Sequence, residues 1–306
     1  MSGPGRGVPG HFPPAEIAEV KALACELPAE SGRALSRWSS AEIAREAVDR
    51  GIVCSISGTT VWRYLAEDAI RPWAWRSWIF PRDPRFAEKA GRVLDLYERR
   101  WKGELLHPGD YVISADEKSQ LQALLGRHDP VAPAAGRPGL RESEYTRLGT
   151  LAYLAALDVH DPRRGLFGRC EAKTGIEPFG RLVQQVMTAE PYASAQRVFW
   201  VVDNGSSHAG KRSIDRLQGA WPNLVLVHLP VHASWLNQIE IYFSILQRKA
   251  LTPRHFAGLS ELDDRIMGFQ EDWQKIAKPI DWRYTRRDLN DLLQRLQDRD
   301  QLPRAA

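Results

Sequence analysis

The segment most informative about the fold is Val198-Phe-Trp-Val-Val-Asp203-Asn204-Gly-Ser-Ser-His208. Its five leading apolar residues, rich in β-branched and aromatic side chains, are typical of a strand that is covered on both faces, as in a parallel sheet. Asp203 then ends the strand, and open α/β sheets place their ligands at that end. The residues that follow are also common turn chemistry, so this stretch alone leaves both a ligand site and a simple turn open.

The composition excludes several classes of protein. The chain has 306 residues, of which 43% are hydrophobic and 11 are Trp, so it can bury a sizeable core and global disorder is not expected. Its 3 Cys are widely separated and share no zinc-ligand spacing with His, which predicts neither a disulfide framework nor a zinc site. A reducing, cytoplasmic compartment is therefore expected. No apolar run reaches the roughly 18–20 residues of a membrane span, and the N-terminus has no apolar secretory signal, so no membrane partner is predicted.

Three helical segments are predicted before the strands begin. The spacing of apolar residues predicts helices over 14–27, from Ser39-Ser40 to Gly51, and over 58–66 after a Ser57 cap. Such a trio fits a helix-turn-helix, whose third helix lies in the DNA major groove and contacts it with its N-terminal residues. The outward-facing residues, which are of types that contact phosphates and base edges, are Ser57, Thr59, Thr60 and Arg63. An ordinary three-helix bundle with a polar face is the alternative.

A basic, aromatic segment follows these helices. Between Ser31 and Lys102 the sequence holds 14 Lys and Arg against 9 Asp and Glu, a modest basic excess. Arg71, Arg76 and Arg82 are therefore candidate contacts to a DNA phosphate backbone. We expect the tryptophans of this segment to pack between domains and not to contact DNA. The spacing of apolar residues over 84–102 predicts a linking helix.

From Asp110 onward the hydrophobic periodicity changes from helical to strand-like. The predicted elements, in order, are strands at 111–116, 150–159 and 165–172, a helix at 178–187, the strand that ends at Asp203, a helix at 213–221, a strand at 224–230 and a helix at 235–249. The first three strands are expected to be antiparallel neighbours and the last two to be parallel. This order is that of an α/β, ribonuclease-H-like domain, a mixed five-stranded sheet flanked by helices, here preceded by an all-α helix-turn-helix domain.

That topology brings three carboxylates together. The first and fourth strands become neighbours at the sheet centre, so Asp116 and Asp203 approach each other and Glu240 can reach them from its helix. Carboxylates gathered this closely repel one another unless cations neutralise them. Oxygen-only ligands select hard ions such as Mg²⁺ or Mn²⁺. Two ions roughly 3.5–4 Å apart support phosphoryl transfer, with Asp116 bridging the pair while Asp203 and Glu240 each hold one.

Neighbouring polar residues are expected to support this site. His208 contacts the scissile phosphate or orients water in one interpretation, and only stabilises the turn in the other. Asn237 shares a helical face with Glu240 and is expected to hold that side chain by a hydrogen bond. Asn204, next to the second aspartate, is a further supporting candidate. Glu117 alternates to the opposite strand face from its neighbour and is expected to be structural.

Three blocks of sequence resemble a known family. Ser114-Ala-Asp116-Glu-Lys-Ser, Val201-Val-Asp203-Asn-Gly-Ser-Ser-His208 and Leu236-Asn-Gln-Ile-Glu240 closely resemble the catalytic blocks of IS630-family transposases, in the Tc1/mariner superfamily. The resemblance spans about residues 15–296. It implies a DDE triad at Asp116, Asp203 and Glu240, two Mg²⁺ ions that Mn²⁺ can replace, and metal-dependent DNA strand cleavage and strand transfer.

The resemblance also implies partners and a location. The implied DNA partners are double-stranded: the terminal inverted repeats of an insertion element, and a target that contains the dinucleotide TA. A homodimer on DNA is implied as well, in a cytoplasmic protein associated with the nucleoid.

The sequence departs from the family pattern at three points. Gln238 stands where the family commonly has Pro, so the start of the following helix is expected to differ. The 36 residues between Asp203 and Glu240 are slightly more than usual. One helix-turn-helix unit is predicted instead of two, with Gly5–Gly10 as a remnant of the basic linker between them. The alternative function is therefore a truncated or co-opted DNA-binding protein without transposition activity. A cellular ribonuclease-H-like nuclease is a third possibility, against which the N-terminal helices argue.

The chain is predicted to divide into five parts. They are a disordered tail at 1–13, a helix-turn-helix DNA-binding domain at 14–70, a linker with a helix at 71–105, the DDE catalytic domain at 106–260 and a C-terminal helical segment at 261–306. We expect DNA recognition before the linker and catalysis after it.

Overall fold

The structure, a computed structural model, describes residues 12–74 and 81–300, and the chain divides into two compact units between residues 79 and 80. Most of the predicted N-terminal tail, and Arg76 among the predicted DNA contacts, lie outside the described residues. Within the described stretches, no helix is both long enough and apolar enough to cross a membrane.

The described part of the first unit packs three α-helices around one core. They are α1 (Pro14–Cys25), α2 (Ser40–Asp49) and α3 (Gly58–Glu67). Ser39 caps α2, since its hydroxyl accepts the Glu42 N–H at 3.3 Å and the Glu42 carboxylate accepts the Ser39 N–H at 2.7 Å. Ser57 caps α3, with its Oγ 3.1 Å from the backbone nitrogen of Thr60. The Ser57 cap of α3 is the predicted one. The buried core of this unit includes Val20, Ile43, Val61 and Leu65.

The second unit begins with α4 (Phe86–Tyr97) and a short hairpin that pairs Arg100–Trp101 with Glu104–Leu105. The helix predicted over 84–102 therefore ends earlier than expected. Lys102 and Gly103 adopt positive φ angles of 52° and 88°, which reverse the chain in a tight turn. α4 packs its apolar face on the central sheet, so it belongs to the core of the second unit.

A five-stranded mixed sheet forms the centre of the second unit. Its strands are β1 (Asp110–Gly126), β2 (Tyr145–Asp158), β3 (Leu166–Glu171), β4 (Arg197–Val202) and β5 (Leu224–His228). The spatial order is β3-β2-β1-β4-β5, in which the first three strands pair antiparallel, and β4 pairs parallel with both β1 and β5. β1 and β4 are therefore neighbours, as the sequence predicted.

The first two strands run well beyond their predicted ends at 116 and 150. β1 continues to Gly126 and β2 starts at Tyr145, and they pair there across two register shifts between Lys118 and Leu124. Register shifts of this kind move side chains to the opposite face, so the alternation that identifies a strand is lost from the sequence.

Helices cover both faces of the sheet. α5 (Ile176–Met187) and α6 (Lys211–Ala220) pack on the face that carries Ile113 and Ala115. The opposite face, which carries Val112, is covered by α4, α7 (Ile239–Lys249), α8 (Leu259–Ile276) and α9 (Arg286–Asp300). From residue 112 to residue 118, the even-numbered side chains of β1 therefore point to the α7 face and the odd-numbered ones to the α5 face.

α7 starts later than the helix predicted over 235–249. A 3₁₀ turn, Ser234–Leu236, precedes it, and Asn237 is extended (φ −84°, ψ 112°) before the helix starts at Ile239. The apolar residues that suggested one continuous helix are all buried, yet they span this break. Asn237 is consequently not on a helical face with Glu240, and the predicted shared stripe is wrong.

Candidate active site

Asp116 and Asp203 lie at matched positions of two neighbouring parallel strands. The last paired residues of β1 and β4 are Ser114 and Val201, and each aspartate follows two residues later. Because paired strands lie about 4.8 Å apart, this register places the two aspartates side by side where β4 ends.

Asp116 is held by two hydrogen bonds in a largely buried position. The Asn237 amide donates to Oδ2 at 3.1 Å, and the backbone N–H of Glu117 donates to Oδ1 at 2.7 Å. Burial, with the negative charges of Asp203 and Glu240, raises the pKa of Asp116 to about 7. Asp116 therefore keeps its proton up to neutral pH unless a positive charge compensates for ionisation.

Asp203 is the charged member of the pair. His208 Nε2 lies 2.7 Å from Oδ1, the Gly205 N–H donates to the same oxygen at 2.8 Å, and the His208 contact is the main cause of a lowered Asp203 pKa. A Cβ at Gly205 would lie 2.9 Å from Oδ1, so only glycine lets the turn close this tightly on the carboxylate.

His208 is buried, with 2% of its surface exposed. Its ring packs on Phe179 of α5 with the ring centroids 4.7 Å apart, and its Nδ1 lies 2.9 Å from the Ser207 hydroxyl. This burial favours the turn-stabilising interpretation of His208 over direct contact with a phosphate. Asn204 is exposed, and its side-chain amide donates to the Leu229 carbonyl at 2.9 Å, which ties the end of β4 to the chain after β5.

Glu240 lies in the first turn of α7 and is exposed. Partial burial raises its pKa, the nearby charge of Lys118 lowers it, and that of Asp203 raises it again. Glu240, Asp203 and Lys118 therefore share one electrostatic environment. Sequence analysis missed Lys118, although strand alternation places it on the same face as Asp116.

The side chain of Asn237 bonds Asp116 and not the side chain of Glu240, which corrects the sequence prediction. Its amide donates to Asp116 and to the Ala115 carbonyl (3.0 Å), and its Oδ1 accepts from the Ser114 hydroxyl. Ser114 Oγ in turn accepts the N–H of Ile239, one of the unpaired donors at the start of α7. The break before α7 therefore docks the start of the helix on β1, next to Asp116.

The predicted DNA-contacting residues belong to the first unit. Ser57 and Thr60 bond each other through their hydroxyls at 2.9 Å, so both serve the cap of α3. Thr59, Arg63 and Arg71 are exposed, and the Arg63 guanidinium lies 5.5 Å from the centre of the Tyr64 ring. A DNA contact by these side chains stays a prediction.

The donor chemistry of the site fits a hard cation. Asp116, Asp203 and Glu240 offer only carboxylate oxygens, and the charge of Asp203 raises the pKa of both Asp116 and Glu240. Across residues 12–74 and 81–300, however, no three His, Cys, Asp or Glu side chains are already spaced as a metal cluster. Asp116 is turned towards Asn237 and Asp203 towards His208, so the carboxylates are close enough to interact but are not yet at ligand spacing.

Comparison with known proteins identifies the fold of the chain and the family of residues 112–263. Residues 112–263 match the family model of the DDE superfamily endonucleases. Three similar solved structures are the Mos1 mariner paired-end complex with Mn (TM-score 0.55), the Mos1 transposase paired-end complex with the left transposon end (0.56) and the Mos1 strand transfer complex (0.52). Each is 16% identical in sequence; they cover 96%, 95% and 95% of this chain and 80%, 80% and 79% of their own chains.

No curated protein matches the chain in sequence. At 16% identity the structural matches speak for the fold alone, and the predicted ribonuclease-H-like fold is confirmed by them. The predicted relation to DDE enzymes is confirmed for residues 112–263, a segment that includes all three blocks of the resemblance. Residues 112–263 therefore form a domain of the DDE superfamily of endonucleases.

Proposed function

We propose that this protein is a DNA transposase of the Tc1/mariner type, in the IS630 family, that cleaves the ends of an insertion element and joins them to a target. The observation that carries the proposal is the matched register of Asp116 and Asp203 on neighbouring strands, with Glu240 docked beside them. The matched solved structures are of Mos1 transposase with transposon ends and in a strand transfer complex, which supports the same activity here.

Asp116, Asp203 and Glu240 are the residues that would hold two divalent cations, Mg²⁺ or Mn²⁺, with Asp116 as the shared ligand. When bound, such ions activate an attacking water or 3′-hydroxyl and stabilise the leaving oxygen in phosphoryl transfer. Mos1 has been solved with Mn and with Mg, which supports divalent metal dependence. A bound cation would also supply the positive charge that lets Asp116 ionise near neutral pH.

The neighbouring residues position these carboxylates. Asn237 holds Asp116 from the α7 side, and His208 with the Gly205 N–H holds one oxygen of Asp203. Lys118 is placed to attract a DNA phosphate towards Glu240, because it lies on the same face of β1 as Asp116 and its charge already acts on Glu240.

The three-helix unit would bind the terminal inverted repeats. Thr59 and Arg63 of α3 are exposed and are of types that contact bases and phosphates, while Ser57 and Thr60 maintain the cap. Arg71, and Arg76 outside the described residues, would add phosphate contacts. We further propose that the protein acts as a homodimer that holds two element ends, and the paired-end complexes of Mos1 support this dimer. Its target would contain the dinucleotide TA, and the protein would reside with the nucleoid in the cytoplasm.

A cleavage assay with a matched pair of variants tests the proposal. The substrate is duplex DNA from the flank of the coding region, incubated with the full chain and Mg²⁺ or Mn²⁺. Asp203→Asn is expected to abolish cleavage while the fold and DNA affinity are retained, whereas Asp215→Asn, an exposed aspartate of α6, is expected to cleave like wild type. Wild-type cleavage by Asp203→Asn would refute the assignment of the triad.

The alternative is a co-opted DNA-binding protein, which the single predicted helix-turn-helix unit favours. It predicts that wild-type protein binds one defined DNA site through Arg63 but nicks no substrate in either metal. Inverted repeats bounded by TA on both sides of the coding region favour the transposase, and their absence favours the co-opted protein.

A further inference from the structure

A chain of hydrogen bonds links Asp203 to the opposite face of β1. His208 Nε2 lies 2.7 Å from Asp203 Oδ1, its Nδ1 lies 2.9 Å from Ser207 Oγ, and Ser207 Oγ lies 3.2 Å from Glu117 Oε1. Glu117 is on the α5 face of β1, away from Asp116. These hydrogen bonds therefore connect β1 with the turn after β4, on the side of β1 that faces away from Asp116.

The middle of this chain is shielded from water. Ser207 and His208 are 4% and 2% exposed, and the His208 ring is held against Phe179. The backbone carbonyl of His208 is contacted by His228 Nε2 at 3.0 Å, which fixes the turn to β5. Hydrogen bonds in such a buried network are strong and rigid, because no water competes for the partners.

The number of available protons determines which group donates and which accepts in each of these hydrogen bonds. The Ser207 hydroxyl has one proton. If Ser207 donates it to Glu117, Ser207 accepts from Nδ1–H of an imidazolium, whose Nε2–H then donates to Asp203. If Ser207 donates it to Nδ1, a neutral imidazole carries its proton on Nε2, and a protonated Glu117 donates to Ser207. In both arrangements His208 Nε2–H donates to Asp203.

This donation leaves one oxygen of Asp203 available. Oδ1 already accepts from Nε2 and from the Gly205 N–H, whereas Oδ2 has no hydrogen-bond partner among the residues that the structure describes. We propose that Glu117, acting through Ser207 and His208, is a positioning residue that fixes the orientation of Asp203 and leaves Oδ2 to bind a cation. The proposal rests on the proposed function, in which Asp203 is a metal ligand.

Binding of Mn²⁺ is the direct test, measured on the full chain by the electron paramagnetic resonance of free Mn²⁺. Glu117→Gln and Ser207→Ala are each expected to weaken Mn²⁺ binding about 10-fold, the usual effect of removing a residue that orients a metal ligand. The exposed neighbour Ser206 provides a matched control, and Ser206→Ala is expected to bind like wild type. Thermal unfolding in EDTA checks that each variant is folded.

Two further variants separate positioning from general stability. His208→Gln retains a side-chain amide near the position of Nε2 and is expected to recover most of the Mn²⁺ affinity that His208→Phe loses, although both alter the core. The double variant of Glu117→Gln with Ser207→Ala is expected to bind no more weakly than Ser207→Ala alone, because both changes interrupt one chain.

The outcomes distinguish this proposal from the function on which it rests. Wild-type Mn²⁺ affinity in folded Glu117→Gln and Ser207→Ala, or additive losses in the double variant, would overturn the positioning role, even if Asp203→Asn is inactive. Unaltered cleavage and Mn²⁺ affinity in Asp203→Asn would instead remove the proposed function itself, and the positioning role with it.

Discussion

Asp116→Asn is predicted to stabilise the metal-free protein above neutral pH, although it removes a carboxylate of the proposed cation site. Burial, assisted by Asp203 and Glu240, raises the pKa of Asp116 to about 7 from 3.8. A carboxyl with a raised pKa in the folded chain favours folding as long as it is protonated there. That contribution is complete below pH 3.8 and is lost as the pH rises through about 7, so ionised Asp116 weakens the fold at pH 8.

The size of the effect follows from the two pKa values. The difference between about 7 in the folded chain and 3.8 corresponds to about 4 kcal/mol once the carboxyl is ionised in both states, which is an upper bound. An asparagine keeps the oxygen that accepts from the Glu117 N–H, but its amide faces the Asn237 amide, which costs about 1 kcal/mol. We therefore expect the variant to exceed wild type by about 2–3 kcal/mol at pH 8 and to converge with it towards pH 5.

Urea unfolding in EDTA, followed by tryptophan fluorescence between pH 5 and pH 9, measures this difference. Asp215→Asn on the exposed face of α6 is the control and is expected to follow the wild-type curve. Comparing each variant with wild type at the same pH removes the contributions of all other titrating groups. If Asp116→Asn is no more stable than wild type at pH 8, burial and the neighbouring carboxylates do not raise the pKa of Asp116 as the structure indicates.

Three further substitutions test other parts of the site and of the DNA-binding unit. Gly205→Ala would place its Cβ 2.9 Å from Asp203 Oδ1. Cleavage of end-containing DNA is therefore expected to fall about 10-fold or more, and an unchanged rate would show that the turn need not close on Asp203. Asn237→Ala leaves buried partners on β1 unpaired, Asp116 among them, and is expected to lower the unfolding free energy in urea by about 2–3 kcal/mol; wild-type stability would contradict the docking of α7 described above. Arg63→Ala is expected to weaken binding to end DNA by roughly 1–3 kcal/mol in fluorescence anisotropy with the fold intact, and wild-type affinity would exclude Arg63 from the interface.

The order of the strands could be predicted because a parallel strand that is buried on both faces forms a continuous apolar run in the sequence. The apolar run before Asp203 and the antiparallel pattern after Asp110 suffice to make β1 and β4 neighbours. The matched register of Asp116 and Asp203 is a direct consequence, since both end short apolar runs on strands that pair in parallel. Local sequence and sheet topology therefore agree at the centre of the candidate site.

The start of α7, the full length of β1 and the partner of Glu117 depend on tertiary contacts, which the spacing of apolar residues in the sequence does not reveal. Apolar spacing runs unbroken through the extended residue Asn237, so the predicted helix included a residue that the sheet holds out of helical geometry. The extension of β1 to Gly126 is hidden by its register shifts. Glu117 does alternate to the far face of its strand as predicted, but its partner Ser207 comes from a turn 90 residues later in the chain, and no local pattern indicates that contact.

A crystal structure with Mn²⁺, analysed by anomalous scattering, would show whether Asp116, Asp203 and Glu240 form one cation site. We predict Mn²⁺ peaks in contact with carboxylate oxygens of all three residues, with Asp203 binding through Oδ2 while Oδ1 stays on His208. Crystals soaked in millimolar Mn²⁺ that show no peak between these carboxylates, or that bind the ion at only one of them, would show that the three residues do not form one cation site.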